Sequence, residues 1–536
     1  ALALDAIGGN STKLDTVTLA STTKGITFTD SKLIGKTDNA VELDVTLSAK
    51  EAITTVNEIA SAGTGVGIAI DSVKLGAISA TSTDGLILIG NIGANATSMG
   101  DITVSAKGNV TTGLIGNGTA KATSVGTISM TSTYGYIDVD DINVQDATGL
   151  TVNLSAKTFI GKDTTASTAL AIKNQGSITS SIAGAAKANV DYTVATANGT
   201  VNLTATNTGG LKSTIDNNAT AGDGSTSTVS LGNAKSGEKN EVTFTGTVDT
   251  LNVTGGTGVD EIAITTTNVK NGTIALGTGA NQLSITDGAN GVAINLGSTT
   301  VTFDSGTSNA TTVAAGKALE YSATGDKKVI DNGFDFTVSG VTKFVGTGFA
   351  DYIVANAEGT TITGGAGADK IVLGAGKDTI LRNGDGTTDG SDTIIGFTAG
   401  TGGDVIDFTT NAAFVATAAV TGYQSIANAG TTAATSGLIV VGGTSITGTT
   451  AAAVEKLLSA TDANITLGAS NASFDIANEA FYLLTDNGTD SYLFLLKSGG
   501  TTAGFTAAED TATLLVTFTG VADATTITAA NFADFA

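Results

Sequence analysis

Gly76-Ala-Ile-Ser-Ala-Thr-Ser-Thr-Asp-Gly85, Gly100-Asp-Ile-Thr-Val-Ser-Ala-Lys-Gly108 and Gly126-Thr-Ile-Ser-Met-Thr-Ser-Thr-Tyr-Gly135 are three copies of one phrase. Each runs Gly-x-Ile-x-apolar, then small polar residues, then Gly, and the copies start 24 and 26 residues apart. Between them stand short alternating pairs, Leu86 with Leu88 and Ile137 with Val139. Apolar residues at every second position, in short runs bounded by Gly or Asn, are strands separated by turns. A repeat of about 25 residues predicts one coil of a three-sided parallel β-helix. A single coil cannot bury its apolar face, but stacked coils share one continuous core.

Outward from these copies the texture persists from residue 1 to about 345, as in Leu150-Thr-Val-Asn-Leu154 and Val201-Asn-Leu-Thr-Ala205. One exception is Ser48 to Ala62, where Ser48 with Glu51 resembles a capping box and Ile53, Val56 and Ile59 recur every third residue; a short helix or a loop is expected there. Residues 346–410 are rich in Gly and Asp, and 411–536 are more varied. Thr450 to Ala460, with Val454, Leu457 and Leu458, reads as a single helix. Phe481 to Leu484 and Tyr492 to Leu496 flank Thr485-Asp-Asn-Gly-Thr489, which predicts a hairpin. The expected fold is all-β: a right-handed parallel β-helix, or β-solenoid, over most of 1–410. Four regions follow: a Thr/Gly/Ala-rich solenoid (1–250), a solenoid with degenerate repeats (251–345), a Gly/Asp-rich block (346–410) and a β-rich C-terminal domain (411–536).

Composition narrows the chemistry. The 536 residues include 71 Gly and no Pro, Cys, His or Trp. Without His there is no Ser-His-Asp triad, no HExxH zinc site and no imidazole acid or base. Without Cys there is no thiol nucleophile, thiolate metal site or disulfide. Arg382 is the single arginine, so bidentate recognition of phosphate is nearly absent. The net charge of −24 disfavours nucleic acid and favours cations. No run approaches the ~18 apolar residues of a membrane span, so no transmembrane segment is expected. No basic stretch leading into an apolar one marks a signal peptide. The chain opens on Ala1, as expected of a processed N-terminus or a portion of a longer protein.

The residues that carry chemistry lie in the Gly/Asp-rich block. Gly364-Gly-Ala-Gly-Ala-Asp369-Lys-Ile-Val372 matches the nonapeptide GGxGxDxUx at every fixed position. Leu373-Gly374-Ala-Gly376-Lys-Asp378-Thr-Ile-Leu381 matches at all but the first. Asp351 stands two periods before Asp369, and looser copies carry Asp385, Asp389, Asp392, Asp404 and Asp407. An isolated copy, Gly255-Gly-Thr-Gly-Val-Asp260, lies upstream and is followed by the Asn-substituted Gly277-Thr-Gly-Ala-Asn281. Calcium takes six to eight oxygens at about 2.3–2.6 Å. Glycines allow a tight turn with carbonyls aimed inward, and one Asp per turn adds a carboxylate. Asp351, Asp369, Asp378 and Asp392 are therefore expected along one edge of stacked turns, with carbonyls of Gly365 and Gly367, and their counterparts Gly374 and Gly376, among the ligands. Asp404 and Asp407 would complete a terminal site, and Asp260 a separate one.

This block resembles the RTX calcium-binding repeats of proteins exported by bacterial type I secretion. The tail, with Asp486-Asn-Gly-Thr-Asp-Ser-Tyr-Leu-Phe-Leu-Leu-Lys497 and Leu514-Leu-Val-Thr-Phe-Thr-Gly520, is similar to the region after the repeats in RTX surface-layer proteins. The resemblance implies an RTX β-roll at 346–410 and an uncleaved C-terminal export signal. It also implies a place on the bacterial cell surface and calcium-dependent assembly of copies into a two-dimensional lattice or filament, with cell-surface polysaccharide as a further partner. The expected role is structural and non-enzymatic. An exported adhesin or biofilm-matrix protein is the alternative. A polysaccharide-modifying β-helix enzyme is a third, for which Tyr134, Tyr136, Asp138, Asp140 and Asp141 form the best cluster. Asp138, Asp140 and Asp141 are otherwise expected at the surface, open to bridging copies through cations.

Overall fold

The computed structural model describes residues 2–4, 7, 14–28, 33–34, 42–55, 68–116, 122, 124–146, 148–162, 168–195, 199–218, 224–232, 234–264, 269–286, 289–305, 310–322, 329–330, 333–382, 389–408, 423–426, 438–441, 446–458, 480–497 and 505–533. Among these the chain is almost wholly β, with one α-helix, Ala451–Leu458. No helix among them is long and apolar enough to cross a membrane. The chain divides into two compact units, Ala1–Asn281 and Gln282–Ala536.

In the first unit the quoted repeats are neighbouring rungs. Ile78 pairs with Ile102, and Ile102 with Ile128, in parallel register. The row extends in both directions as Val17, Val45, Ile78, Ile102, Ile128, Val152, Ser180, Leu203, Val229, Val253 and Ile274. All its members are buried. Ser180, the one polar member, accepts a hydrogen bond from the buried Tyr192 hydroxyl at 2.9 Å. A second row, Ile26, Ile53, Ile87, Val110, Ile137, Ile160, Ala188 and Leu211, runs along the other sheet. Strand residues alternate inward and outward, most cleanly over Leu43–Ala49, so apolar and Thr/Ser positions fall on opposite faces.

Two expectations are corrected here. The coils stand on two parallel sheets. What was expected as a third side is a break within the second sheet, where Val110–Thr112 and Ile115–Gly116, or Ile137–Val139 and Asp141–Asn143, pair as successive short strands. Gly116, with φ of +81°, ends the second of these short strands. Within the stretch Ser48–Ala62, where a helix or loop is expected, the chain is strand through Ala49, bends at residues 50–51 and is strand again at Ile53–Thr55. Ile53 is claimed by the rung between Ile26 and Ile87, and that parallel pairing overrides the local capping pattern. Residues 56–62 lie outside the described residues.

The second unit repeats the scheme with shorter strands. Leu283, Phe344, Ile362, Ile380 and Ile406 stack along one sheet. Ile294, Ile353, Ile371, Ile394 and Phe518 stack along the other. Lys317–Tyr321 departs from this pattern and pairs antiparallel with Gly291–Asn295 and Asp335–Ser339. With the hairpin of Val301–Phe303 and Thr311–Val313, this excursion buries Phe303, Tyr321, Tyr352 and Val354 in a satellite core. Toward the C-terminus the expected hairpin forms between Ala480–Asp486 and Ser491–Lys497. Thr511–Thr519 pairs antiparallel with that hairpin and parallel with Asp392–Ile395. The helix Ala451–Leu458 packs Val454, Leu457 and Leu458 against Leu483, Phe494 and Leu496.

If these rows hold the coils together, Ile128→Ala should cost about 2–5 kcal/mol, since it opens a cavity in a close-packed row. The outward neighbour Thr131→Ala should stay within about 0.5 kcal/mol of the parent. Chemical denaturation of the two variants checks this, and equal losses would contradict it.

Candidate metal centre

The nine-residue period of the block is half of an eighteen-residue coil. Tyr352–Val354 pairs with Lys370–Val372, and Thr361–Thr363 with Thr379–Leu381, each eighteen residues on. Successive nonapeptides therefore fall on alternate sheets, and their aspartates divide between two corners. Asp351, Asp369 and Asp392 form one row; Thr360, Asp378 and Asp404 form the other. The expectation of Asp378 on the same edge as Asp351, Asp369 and Asp392 is corrected accordingly. Asp385 lies outside the described residues.

Each aspartate links two coils. The N–H of Val292 donates to Asp351 Oδ1 at 2.7 Å, that of Asp351 to Asp369 Oδ1 at 2.8 Å, and that of Asp369 to Asp392 Oδ1 at 3.0 Å. On the other corner the N–H of Thr360 donates to Asp378 Oδ1 at 2.6 Å, and that of Asp378 to Asp404 Oδ1 at 2.8 Å. The second oxygen closes the residue's own turn. Asp351 Oδ2 accepts from the N–H of Thr347 at 2.7 Å, Asp378 Oδ2 from that of Gly374 at 2.9 Å, and Asp404 Oδ2 from that of Thr398 at 2.7 Å. Asp369 Oδ2 is buried with no hydrogen-bond partner. Buried Asn531 ties the last corner down, its amide donating to the Asp404 carbonyl at 2.8 Å.

These carboxylates are nearly inaccessible, and burial disfavours their charge. Burial pushes Asp378 up to about 6, with the Asp404 charge adding to it. Burial, then the charges of Asp392 and Asp351, hold Asp369 well above the carboxylate range. Burial also raises Asp351 and Asp392, the latter opposed by Arg382.

The glycines are required by the stacking. Gly365 and Gly367 have φ of +105° and +109°, the left-handed region that side chains avoid. A Cβ on Gly365 would stand 1.9 Å from the Thr347 carbonyl oxygen, and one on Gly364 would stand 2.0 Å from Asp369 Oδ2. On the other corner a Cβ on Gly374 would meet the Asn356 carbonyl oxygen at 2.0 Å, and one on Gly376 would meet the Gly359 nitrogen at 2.4 Å. The backbone of one coil thus presses against Gly365, Gly374 and Gly376 of the next.

The donors at these corners are of the type that a hard cation takes. The unpartnered Asp369 Oδ2 and the turn carbonyls around Gly365 and Gly367 are oxygens, the ligands calcium prefers. Among the described residues no three acidic side chains converge, so backbone carbonyls would supply most of any coordination shell. Asp407 stands apart, three residues past the corner, and its carbonyl accepts the Arg382 N–H at 2.9 Å. Asp389 is buried next to Gly390, in the turn that leads to Asp392.

Asp260 belongs to a different kind of row, in the first unit. The Asn240 amide donates to Asp260 Oδ1 at 2.7 Å, and the N–H of Asp260 donates to Asn281 Oδ1 at 3.0 Å. The Asn281 amide then donates to the Leu276 carbonyl of its own turn at 2.9 Å. An asparagine supplies both the acceptor and the donor that such a corner needs. Asp260 keeps one buried oxygen, Oδ2, without a partner. Sequence reading missed Asn240, whose only signal is its place one coil before Asp260.

The Tyr134–Asp141 cluster does not converge. Tyr134 is exposed, Tyr136 stacks on Phe159 at 4.6 Å, and Asp141 pairs with Lys162 at 3.1 Å. Asp138 is buried, which corrects its expected surface role, because Ile137–Val139 is covered along its whole length. A cavity of about 600 Å³ in the first unit is lined by Lys187, Lys212, Lys239, Glu238 and Glu241, three positive groups against two negative ones. Comparison with protein-family models, with curated proteins and with solved structures returned no match.

The raised carboxylates set a pH dependence. In excess chelator the folded chain holds the Asp378 proton more tightly than the unfolded chain does, since about 6 exceeds the ordinary 3.8. Its contribution is complete below pH 4 and is lost as pH rises through 6, a change on the order of 3 kcal/mol. Denaturation of parent and Asp378→Asn from pH 4 to 7.5 should show the parent losing that increment and the variant keeping it. The same slope in both would contradict the assignment.

Proposed function

We propose that the chain is an exported structural protein of the bacterial cell exterior, a surface-layer subunit whose folding and self-assembly depend on calcium. The observation that carries this reading is the pair of buried aspartate corners over residues 346–407, stacked with glycine turns at an eighteen-residue repeat. In this reading the segment is an RTX β-roll, and both units wind right-handed, the hand that parallel crossovers take almost without exception. Calcium supplies a permanent positive charge that buried carboxylates and turn carbonyls can share. Asp351, Asp369 and Asp378 would hold it with carbonyls of the Gly346–Ala350, Gly364–Ala368 and Gly374–Lys377 turns. Without a cation, the coil-linking carboxylates, three on one corner and two on the other, repel or must be protonated.

The same dependence suits export. A chain that threads a secretion channel must be unfolded, and free calcium is scarce in the cytosol and abundant outside. A segment that cannot close its corners without calcium stays open before export and folds after it. The net charge of −24 adds a second use, because divalent cations relieve repulsion between copies. Half-buried Asp141, held by Lys162, and Asp140 remain as acidic groups on the first unit; buried Asp138 is withdrawn from that set.

Purified protein should be monomeric in chelator and should form sheets or filaments when millimolar calcium is restored, as read by light scattering and negative-stain electron microscopy. Asp369→Ala with Asp378→Ala should abolish assembly while leaving most of the far-ultraviolet circular dichroism. Assemblies that persist in excess chelator would contradict the proposal.

A further inference from the structure

Arg382 is the only arginine among 536 residues, and it is among the most deeply buried side chains of the described chain. It follows the strand Thr379–Leu381 and turns its guanidinium into the corner where the Asp351, Asp369 and Asp392 row ends. Its Nη1 donates to Asp392 Oδ2, and its Nη2 donates to the Gly390 carbonyl at 3.1 Å. Asp392 uses its other oxygen for the Asp369 N–H. One carboxylate oxygen and one turn carbonyl are the donors that a calcium ion would take at such a corner.

The turn itself has changed in step. Counting back from the aspartate, Gly390 occupies the place of Gly367, but Thr387 and Thr388 stand where the preceding copy has Gly364 and Gly365. A Cβ on Gly365 would collide with Thr347 of the coil before it, and one on Gly364 with the Asp369 carboxylate. The copy ending at Asp392 has lost these two glycines and gained a cation of its own.

We propose that the Arg382 guanidinium takes the place of a calcium ion at the Asp392 corner. This rests on the calcium reading of the other corners. Guanidinium does not deprotonate in proteins, so its charge is permanent and independent of the calcium outside. The Asp392–Ile395 strand is also the rung on which Thr511–Thr519 stacks, with Ile394 paired to Phe518. The corner that seats the C-terminal strand is thereby closed without metal. The corners of Asp351, Asp369 and Asp378 wait for it.

The test uses the full chain, stripped with chelator and then dialysed against radioactive calcium to count bound ions. Three variants are compared with the parent: Arg382→Gln, Arg382→Lys, and Arg382→Gln combined with Asp392→Asn. Arg382→Gln should bind one more calcium per chain than the parent. Arg382→Lys, which keeps a cation, and the double variant, which removes the anion as well, should both return to the parent number. Should Arg382→Gln fail to fold in chelator, recovery of the parent circular dichroism in millimolar calcium supports the proposal, and failure to recover in saturating calcium overturns it. An unchanged or lower calcium count for Arg382→Gln also overturns it. A parent chain that binds no calcium defeats the reading of the other corners. A gained ion in Arg382→Gln would still report on Arg382.

Discussion

Stacked coils leave backbone N–H groups at their corners that no ladder reaches, and a buried N–H without a partner costs free energy. Several aspartates of the described chain answer that constraint. In the first unit Asp44 accepts from the Ala77 N–H at 2.7 Å, Asp101 from Thr127 at 2.8 Å, and Asp191 from Thr214 at 2.7 Å. In the second unit Asp351, Asp369, Asp378, Asp392 and Asp404 do the same between coils. The difference lies in burial. Asp44 and Asp101 stand at exposed bonds where water screens the charge, while the second unit's aspartates are sealed.

Sealed carboxylates need a counter-charge, an amide substitute or a proton. The chain uses more than one of these. Asn240 and Asn281 complete their corner with neutral amides that both donate and accept. Arg382 brings an internal cation to Asp392. Asp369 has neither on its second oxygen, and its position is the one where an external cation has most to stabilise. The acidic composition is thus partly structural: an aspartate at a coil corner is a backbone acceptor first and a charge second.

Much of the fold was legible in the sequence. Ile78, Ile102 and Ile128 declared their rung through spacing alone, because identical coils place identical residues in register. The hairpin around Asn487 and Gly488 and the helix near Val454 followed from local turn chemistry and helical spacing. The failures share one cause, which is that pairing between coils is not local. Ser48 and Glu51 made a plausible cap, but Ile53 was wanted by Ile26 and Ile87. Asp378 sits nine residues from Asp369, and nothing in that spacing says that nine residues carry the chain to the opposite sheet. Asp138 looked like a surface acid in a tyrosine-rich turn, and strand pairing buried it. Arg382 was conspicuous as a lone arginine, yet its partner ten residues on became apparent only when the corner was built.

The central claim is that the buried aspartate corners of residues 346–407 close around calcium while the first unit folds without it. Hydrogen exchange of the full chain, followed by mass spectrometry with calcium and with chelator, tests it most directly. The amides of Asp351, Thr360, Asp369 and Asp378, which donate across coils to carboxylates, should be protected in calcium and exchange at least tenfold faster in chelator. Those of the first-unit strand Thr200–Thr206 should not change. Equal protection of both segments with and without calcium would contradict the account.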